Sequence, residues 1–169
     1  GIGESMLETE LMDLIKGQTN PTIAPLASVG EVRLRITASG SPHEVDLLID
    51  EMEDKIRERV GSFIYGIDED NFLDLVATRL KEEELTIGVA ESCTGGLISH
   101  MLTNIPGSSK YYKRGVIVYS NEAKMELLKV PSKLLEEHGA VSREVAIAMA
   151  TGIRESSSTD LGLAVTGIA

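Results

Sequence analysis

GVAESCTGG, residues 88–96, carries an apolar run into Ser92, Cys93 and Thr94 and then at once into Gly95 and Gly96. Read as the end of a buried strand and the start of a helix, it makes the second half of the chain a layered α/β domain. A helix start offers unpaired backbone N–H groups and a positive dipole end. Two glycines let a ligand approach that backbone closely. Such a turn can hold a phosphate or the oxyanion of an acyl-transfer intermediate, with Ser92 or Cys93 as nucleophile. A plainer reading competes: Ser and Thr are common helix caps, and a Cys often only packs. The stretch is neither G-x-S-x-G nor a P-loop, since no Gly-Lys-Ser/Thr follows.

The surroundings repeat the strand–helix rhythm. TIGVAE reads as a buried strand, GGLISHMLTNI as a helix and RGVIVYS as a second strand. NEAKMELLKV and PSKLLEEHG are short helices, and SREVAIAMATGIRESS is a longer one with Ser142 as its N-cap. LGLAVTG closes as a strand. Upstream, IDEDNFLDLVATRLKEEEL has an acidic helix start and a stripe of Phe72, Leu75, Val76 and Leu80. Apolar strands alternating with helices predict a largely buried sheet between helical layers.

The first part reads differently. ESMLETELMDLIKG predicts one helix, with Leu7, Leu11, Leu14 and Ile15 on a face, a Ser5–Glu8 capping box and Gly17 at its end. NPTIAPLASVGE is rich in turn formers and reads as a loop. EVRLRIT alternates as a half-buried strand, HEVDLLIDEMEDKIRERV is an amphipathic helix, and SFIYGI is short and β-prone. Residues 1–68 are therefore expected to form a small α+β domain and residues 69–169 an α/β domain. The order of the first domain is similar to that of small sheet domains that bind RNA or protein. It has no G-x-x-G loop of the KH kind.

The chain has 169 residues, 42% of them hydrophobic, with no Trp, so its cores must be mostly aliphatic. A net charge of −11 disfavours non-specific binding to nucleic acid or to anionic membranes. A single Cys excludes an internal disulfide and suits a reducing compartment. No signal-peptide pattern or membrane-length apolar run is visible, and a cytoplasmic protein is expected. The chain begins at Gly1 rather than Met and stops just after a strand, which reads as a piece of a longer protein.

In layered α/β domains, sites gather where strands end. Beyond AESCTGG, two other junctions qualify. VYSNEAK crowds Tyr119, Ser120, Asn121, Glu122 and Lys124 into one turn. A Lys there acts as a base only if burial or nearby positive charge lowers its pKa. Otherwise Ser120 or Asn121 caps a helix while Glu122 and Lys124 are solvated. AVTGIA adds a small polar turn at Thr166 and Gly167. His138 sits near a helix C-terminus, where a cation is favoured and capping is the expected role. His43 and His100 have no ligand-spaced partners, and no Cys/His cluster indicates zinc.

Four stretches, GVAESCTGGLIS, NIPGSSKYYKRGVIVYSNEAK, HGAVSREVAIAMA and AVTGIA, in this order and spacing closely resemble the C-terminal domain of the CinA family of competence/damage-inducible proteins. GIGES, NPTIAPLASVGEVRLRITA and GSFIYG resemble the middle domain of its long form. The resemblance implies a nicotinamide mononucleotide deamidase, which hydrolyses the nucleotide's carboxamide to the acid and ammonia for pyridine nucleotide recycling. It implies a Ser/Lys pair, carried here by Ser92 and Lys124, with no cofactor and no metal. Thr94, Gly95, Gly96, Tyr119, Ser120, Thr166 and Gly167 are the expected substrate-binding positions, and Cys93 is expected to face the core. The expected partner is a small nucleotide, with no nucleic acid and no membrane, and a homo-oligomer is left open. The family's long form begins with a domain resembling molybdopterin-binding proteins, and its deamidase domain continues past TGIA. Neither part is in this sequence, so only the first portion of the deamidase domain is expected. A non-catalytic interaction module and an amidase for another small carboxamide are the alternatives.

Overall fold

The computed structural model describes residues 1–28 and 30–168. They form two compact units, Gly1–Ile67 and Asp68–Ala169.

The first unit runs α1 (Glu4–Glu10), α2 (Met12–Lys16), β1 (Thr22–Ser28), β2 (Glu31–Thr37) and α3 (Pro42–Val60), then a single 3₁₀ turn at Gly61–Phe63. β1 and β2 pair antiparallel, from Thr22 opposite Thr37 to Ser28 opposite Glu31. Leu7, Leu11, Ile23, Met52, Ile56 and Val60 fill the core beneath them.

Three expectations are corrected here. Residues 22–28 are a strand, not a loop. Ile23 supplies a core side chain, and Pro25, which has no N–H, is tolerated because a two-stranded sheet has only edges. The N-terminal helix is broken at Leu11, and its first part is capped by Gly3 without a side-chain bond, so the Ser5–Glu8 box does not form. The carboxylate that reaches back to a helix start is instead Glu44 of α3, which accepts from the Ser41 N–H at 2.9 Å and its hydroxyl at 2.6 Å. SFIYGI is a 3₁₀ turn and coil rather than a strand: Ile64 packs on the core and the Tyr65 hydroxyl donates to Glu31.

The second unit runs α4 (Phe72–Glu82), β3 (Ile87–Glu91), α5 (Leu97–Thr103), β4 (Tyr112–Ile117), α6 (Asn121–Leu128), α7 (Ser132–His138), α8 (Arg143–Ser157) and β5 (Leu161–Val165). Its sheet is parallel throughout, in the order β4-β3-β5, so all three strands end on one edge. Every residue of the central β3 is buried. On one face Val89 and Ile87 pack with Ala77, Leu80, Leu102 and Tyr111. On the other, Ala90 joins Val118, Leu128, Leu135, Val145, Met149 and Ile153. Phe72 is exposed, contrary to the expected stripe, and Ala77 is buried in its place. The helix begins after Asn71, whose side chain accepts from the N–H groups of Leu73 and Asp74.

Ser142 caps α8 as the sequence predicts, accepting from Val145 N–H at 3.3 Å. Ser142→Ala is expected to destabilise the second unit by about 1 kcal/mol, read as a lowered urea midpoint. An unchanged midpoint would show that the cap contributes nothing. Among the described residues no helix is long and apolar enough to cross a membrane.

Candidate active site

Parallel strands leave their C-terminal ends open to loops that converge on a crevice. Here the ladders are extended past the strand ends on both sides of β3. Ser92 N–H donates to Val165 O at 3.0 Å, and Val118 N–H donates to Glu91 O at 2.7 Å. These bonds bring the residue after β3 level with the loop after β4. That loop turns into α6 at Ser120, whose hydroxyl accepts from Ala123 N–H at 3.1 Å. Lys124 follows within the first turn.

Lys124 is 1% exposed and Ser92 6% exposed. Lys124 Nζ donates to Val118 O at 2.9 Å and Tyr119 O at 3.0 Å, and lies 3.2 Å from Ser92 Oγ. A neutral amine has two hydrogens and one lone pair, whereas a carbonyl can only accept. The two carbonyls can therefore take both hydrogens and leave the lone pair facing the Ser92 hydroxyl. Burial pulls the Lys124 amine below the ordinary lysine range, and an ionised Cys93 would work the other way. The arrangement holds a hydroxyl against a buried amine whose charged form is disfavoured.

The other expected positions separate. Cys93 is half-buried and Ser92 is the more buried of the two, the reverse of the expected orientation. Side chains alternate along the strand end: Ala90 and Ser92 serve the face carrying α6 to α8, and Glu91 serves the face carrying α5. The Cys93 sulfur abuts Gly167, where an added Cβ would lie 3.1 Å away. The Thr166 hydroxyl donates to Ala140 O at 2.8 Å rather than to Ser92 or Lys124. Ser120 acts as the helix cap. Tyr119 contributes its carbonyl, although the residue as a whole is 70% exposed. Lys124 is not solvated, unlike the exposed Glu122.

The amides of the α5 start are largely taken. Gly96, Ile98 and Ser99 N–H groups donate to the Glu91 carboxylate, and Gly95 N–H donates to Ser92 O at 3.2 Å. Of the N–H groups from Thr94 to Gly96 expected to face a substrate anion, those of Gly96 and Gly95 already have internal acceptors, the Glu91 carboxylate and the Ser92 carbonyl. The amides of Cys93 and Thr94 have no partner among the described residues. The Thr94 hydroxyl is buried on the Glu91 side of the turn, near enough to favour the charged carboxylate but without a well-formed hydrogen bond. Two features were missed from sequence: the carbonyl pair of Val118 and Tyr119, which carries no side-chain signal, and Glu91. An acid closing an otherwise apolar strand, just before a helix, was the available signal for Glu91.

A parallel α/β layer with a buried hydroxyl–amine pair at its strand ends is the class the second unit defines. Residues 69–169 match the family model described as CinA C-terminal domain, and residues 1–66 match that described as Damage-inducible protein CinA KH domain. A CinA-like protein of Dictyoglomus turgidum is 51% identical over the whole chain, which spans 41% of that relative's length. The solved competence/damage inducible protein CihA from Agrobacterium tumefaciens is 43% identical, with a TM-score of 0.55 over 57% of this chain and 58% of its own. A competence-damaged protein (CinA) superfamily structure from Escherichia coli is 34% identical, with a TM-score of 0.57 over 62% of this chain and 63% of its own. The chain belongs to the CinA family. The KH name falls on a unit without a G-x-x-G sequence, one with twelve Asp or Glu against six Lys or Arg in residues 1–67.

Proposed function

We propose that the second unit hydrolyses the carboxamide of nicotinamide mononucleotide to nicotinate mononucleotide and ammonia. The observation that carries the reaction class is the 3.2 Å approach of Lys124 Nζ to Ser92 Oγ in a buried setting. The choice of substrate rests on the family resemblance. Neutral Lys124 takes the Ser92 proton as Oγ attacks the amide carbon. The resulting oxyanion is met by the N–H groups of Cys93 and Thr94. Lys124 returns the proton to the leaving nitrogen, ammonia departs, and an ester remains on Ser92. Water, deprotonated by the same amine, then releases the acid and restores the hydroxyl.

The test is ammonia release from nicotinamide mononucleotide, set beside plain nicotinamide and glutamine. Turnover of the nucleotide alone supports the reading. Preference for another amide would keep the reaction class and overturn the substrate, and no release from any would overturn both. The pH profile adds a second check. Because Lys124 must be neutral and burial lowers its pKa, kcat/KM should rise with pH. It should level off with a midpoint below the ordinary lysine value of about 10.4. A rate that falls as pH rises through neutrality would exclude Lys124 as the base.

A further inference from the structure

Glu91 closes β3 with no solvent exposure. Its Oε2 accepts from Gly96 N–H at 3.1 Å and Ile98 N–H at 3.0 Å. Its Oε1 accepts from Ser99 N–H at 2.8 Å and Ser99 Oγ–H at 2.6 Å. Among the described residues no cation pairs with it. Burial would push the carboxyl up, but the Ser99 hydroxyl and amide, the nearby Thr94 hydroxyl and the Ile98 amide hold it below the usual carboxylate range. Burying an unpaired carboxylate is costly, and a helix start needs only a small uncharged cap. At the N-cap itself stands Gly96, at φ 103°, with no side chain to offer. The cap comes instead from the strand on the far side of the turn.

That placement ties both ends of one loop. The backbone of Glu91 is fixed in the ladder, and its carboxylate grips residues 96, 98 and 99. Between them lie Ser92, Cys93, Thr94 and Gly95. Gly95 at φ 59° and Gly96 at φ 103° give this loop little stiffness of its own. Ser99 is held from behind as well: a Cβ at Gly115 of β4 would fall 2.6 Å from its hydroxyl. The anchor is thus rigid on both sides. We propose that Glu91 is a positioning residue. By fastening the first turn of α5 to the end of β3, it keeps Ser92 Oγ aligned with Lys124 Nζ for proton transfer. This rests on the Ser92–Lys124 reading given above.

Glu91→Gln is the sharpest variant, because four donors converge on the carboxylate and a carboxamide must turn its NH₂ toward one pair of them. Loss of alignment of about an ångström costs on the order of 10²-fold. We therefore expect kcat for nicotinamide mononucleotide to fall by about that factor, with KM changed less than threefold. A second readout needs no substrate: the rate at which phenylmethanesulfonyl fluoride sulfonylates Ser92, with loss of fluoride, followed by peptide mass. Glu91→Gln should slow labelling by a similar factor, and in a Ser92→Ala background it should remove nothing further from the residual rate. If Glu91→Gln does not fold, Ser99→Ala, which deletes one hydrogen bond, should still slow labelling several-fold.

A purely structural role gives a different pattern, with lower melting temperature but unchanged labelling and unchanged kcat per folded molecule. That pattern overturns the proposal. Labelling that responds to Glu91 in a protein that does not deamidate the nucleotide would leave the proposal standing and overturn the substrate. Ser92 labelled no faster than other serines would overturn the proposal together with the nucleophile.

Discussion

Ser92→Ala is expected to lower kcat for nicotinamide mononucleotide hydrolysis by at least ~10³-fold, and Lys124→Ala to do nearly the same, as for nucleophile and base in other hydrolases that act as a unit. The reason is geometric. Among the described residues the Lys124 amine has three neighbours at hydrogen-bond distance, two of them carbonyls that hold it in place. Its remaining valence points at one hydroxyl. Removing the hydroxyl leaves a base with nothing to activate; removing the amine leaves a buried alcohol with no proton acceptor. The double variant should therefore be no slower than the worse single one. Added methylamine should restore part of the rate to Lys124→Ala, and nothing to Ser92→Ala. Cys93→Ala should retain most activity, because the Cys93 side chain points toward Gly167. Near-normal turnover in Ser92→Ala with loss in Cys93→Ala would make the thiol the nucleophile.

β4 and β5 are not buried strands, contrary to the largely buried sheet the sequence predicts. The central strand of the parallel layer was legible because a strand buried on both faces must be apolar, and IGVAE, sandwiched between two helical patterns, shows this. The same property hid the orientation of Ser92. When both faces are core, the alternation of side chains does not say which face a strand-end residue joins. Only the packing of Ala90 with the α6 to α8 side settles the parity, and that packing is tertiary. The pairing of Ser92 with Lys124 spans 32 positions and two strand ends, so no local pattern carries it; the family resemblance did. Glu91 was hidden for a related reason. A terminal acid on a strand usually meets water, and only the arrival of α5 shows that its amides are the acid's partners. In the first unit, β1 was lost because Pro and Ser within it are turn signals, while its pairing with β2 follows from the core position of Ile23. Local signals thus gave the layers, and contacts distant in sequence gave the chemistry.

Gly152→Ala is expected to destabilise the second unit by about 3 kcal/mol, at the upper end of overpacking costs. Helix propensity alone predicts the opposite, since Gly in a helix interior costs about 0.5–1 kcal/mol relative to Ala. Gly152 lies inside α8, so no backbone strain bears on the outcome. Space decides it. A Cβ at this position would fall 2.2 Å from the Leu128 carbonyl oxygen and 3.0 Å from the Leu128 Cβ. The first of these is backbone and cannot swing aside, so α6 and α8 must separate. Leu128 ends α6 and Lys124 lies one turn before it, so the displacement also reaches the amine that meets Ser92. Stability and kcat should therefore fall together. Gly61→Ala is the contrasting control: Gly61 sits at φ −56°, ψ −32°, and its added Cβ would meet Arg57 Cβ at an ordinary 3.6 Å. There the substitution should be neutral or stabilise by up to about 1 kcal/mol through the unfolded chain. Calorimetry on both variants reads the difference. A Gly152→Ala chain that melts with the parent would mean that α8 accommodates the methyl group by a shift too small to weaken the packing, and that the close approach of α6 and α8 is not what the glycine is needed for.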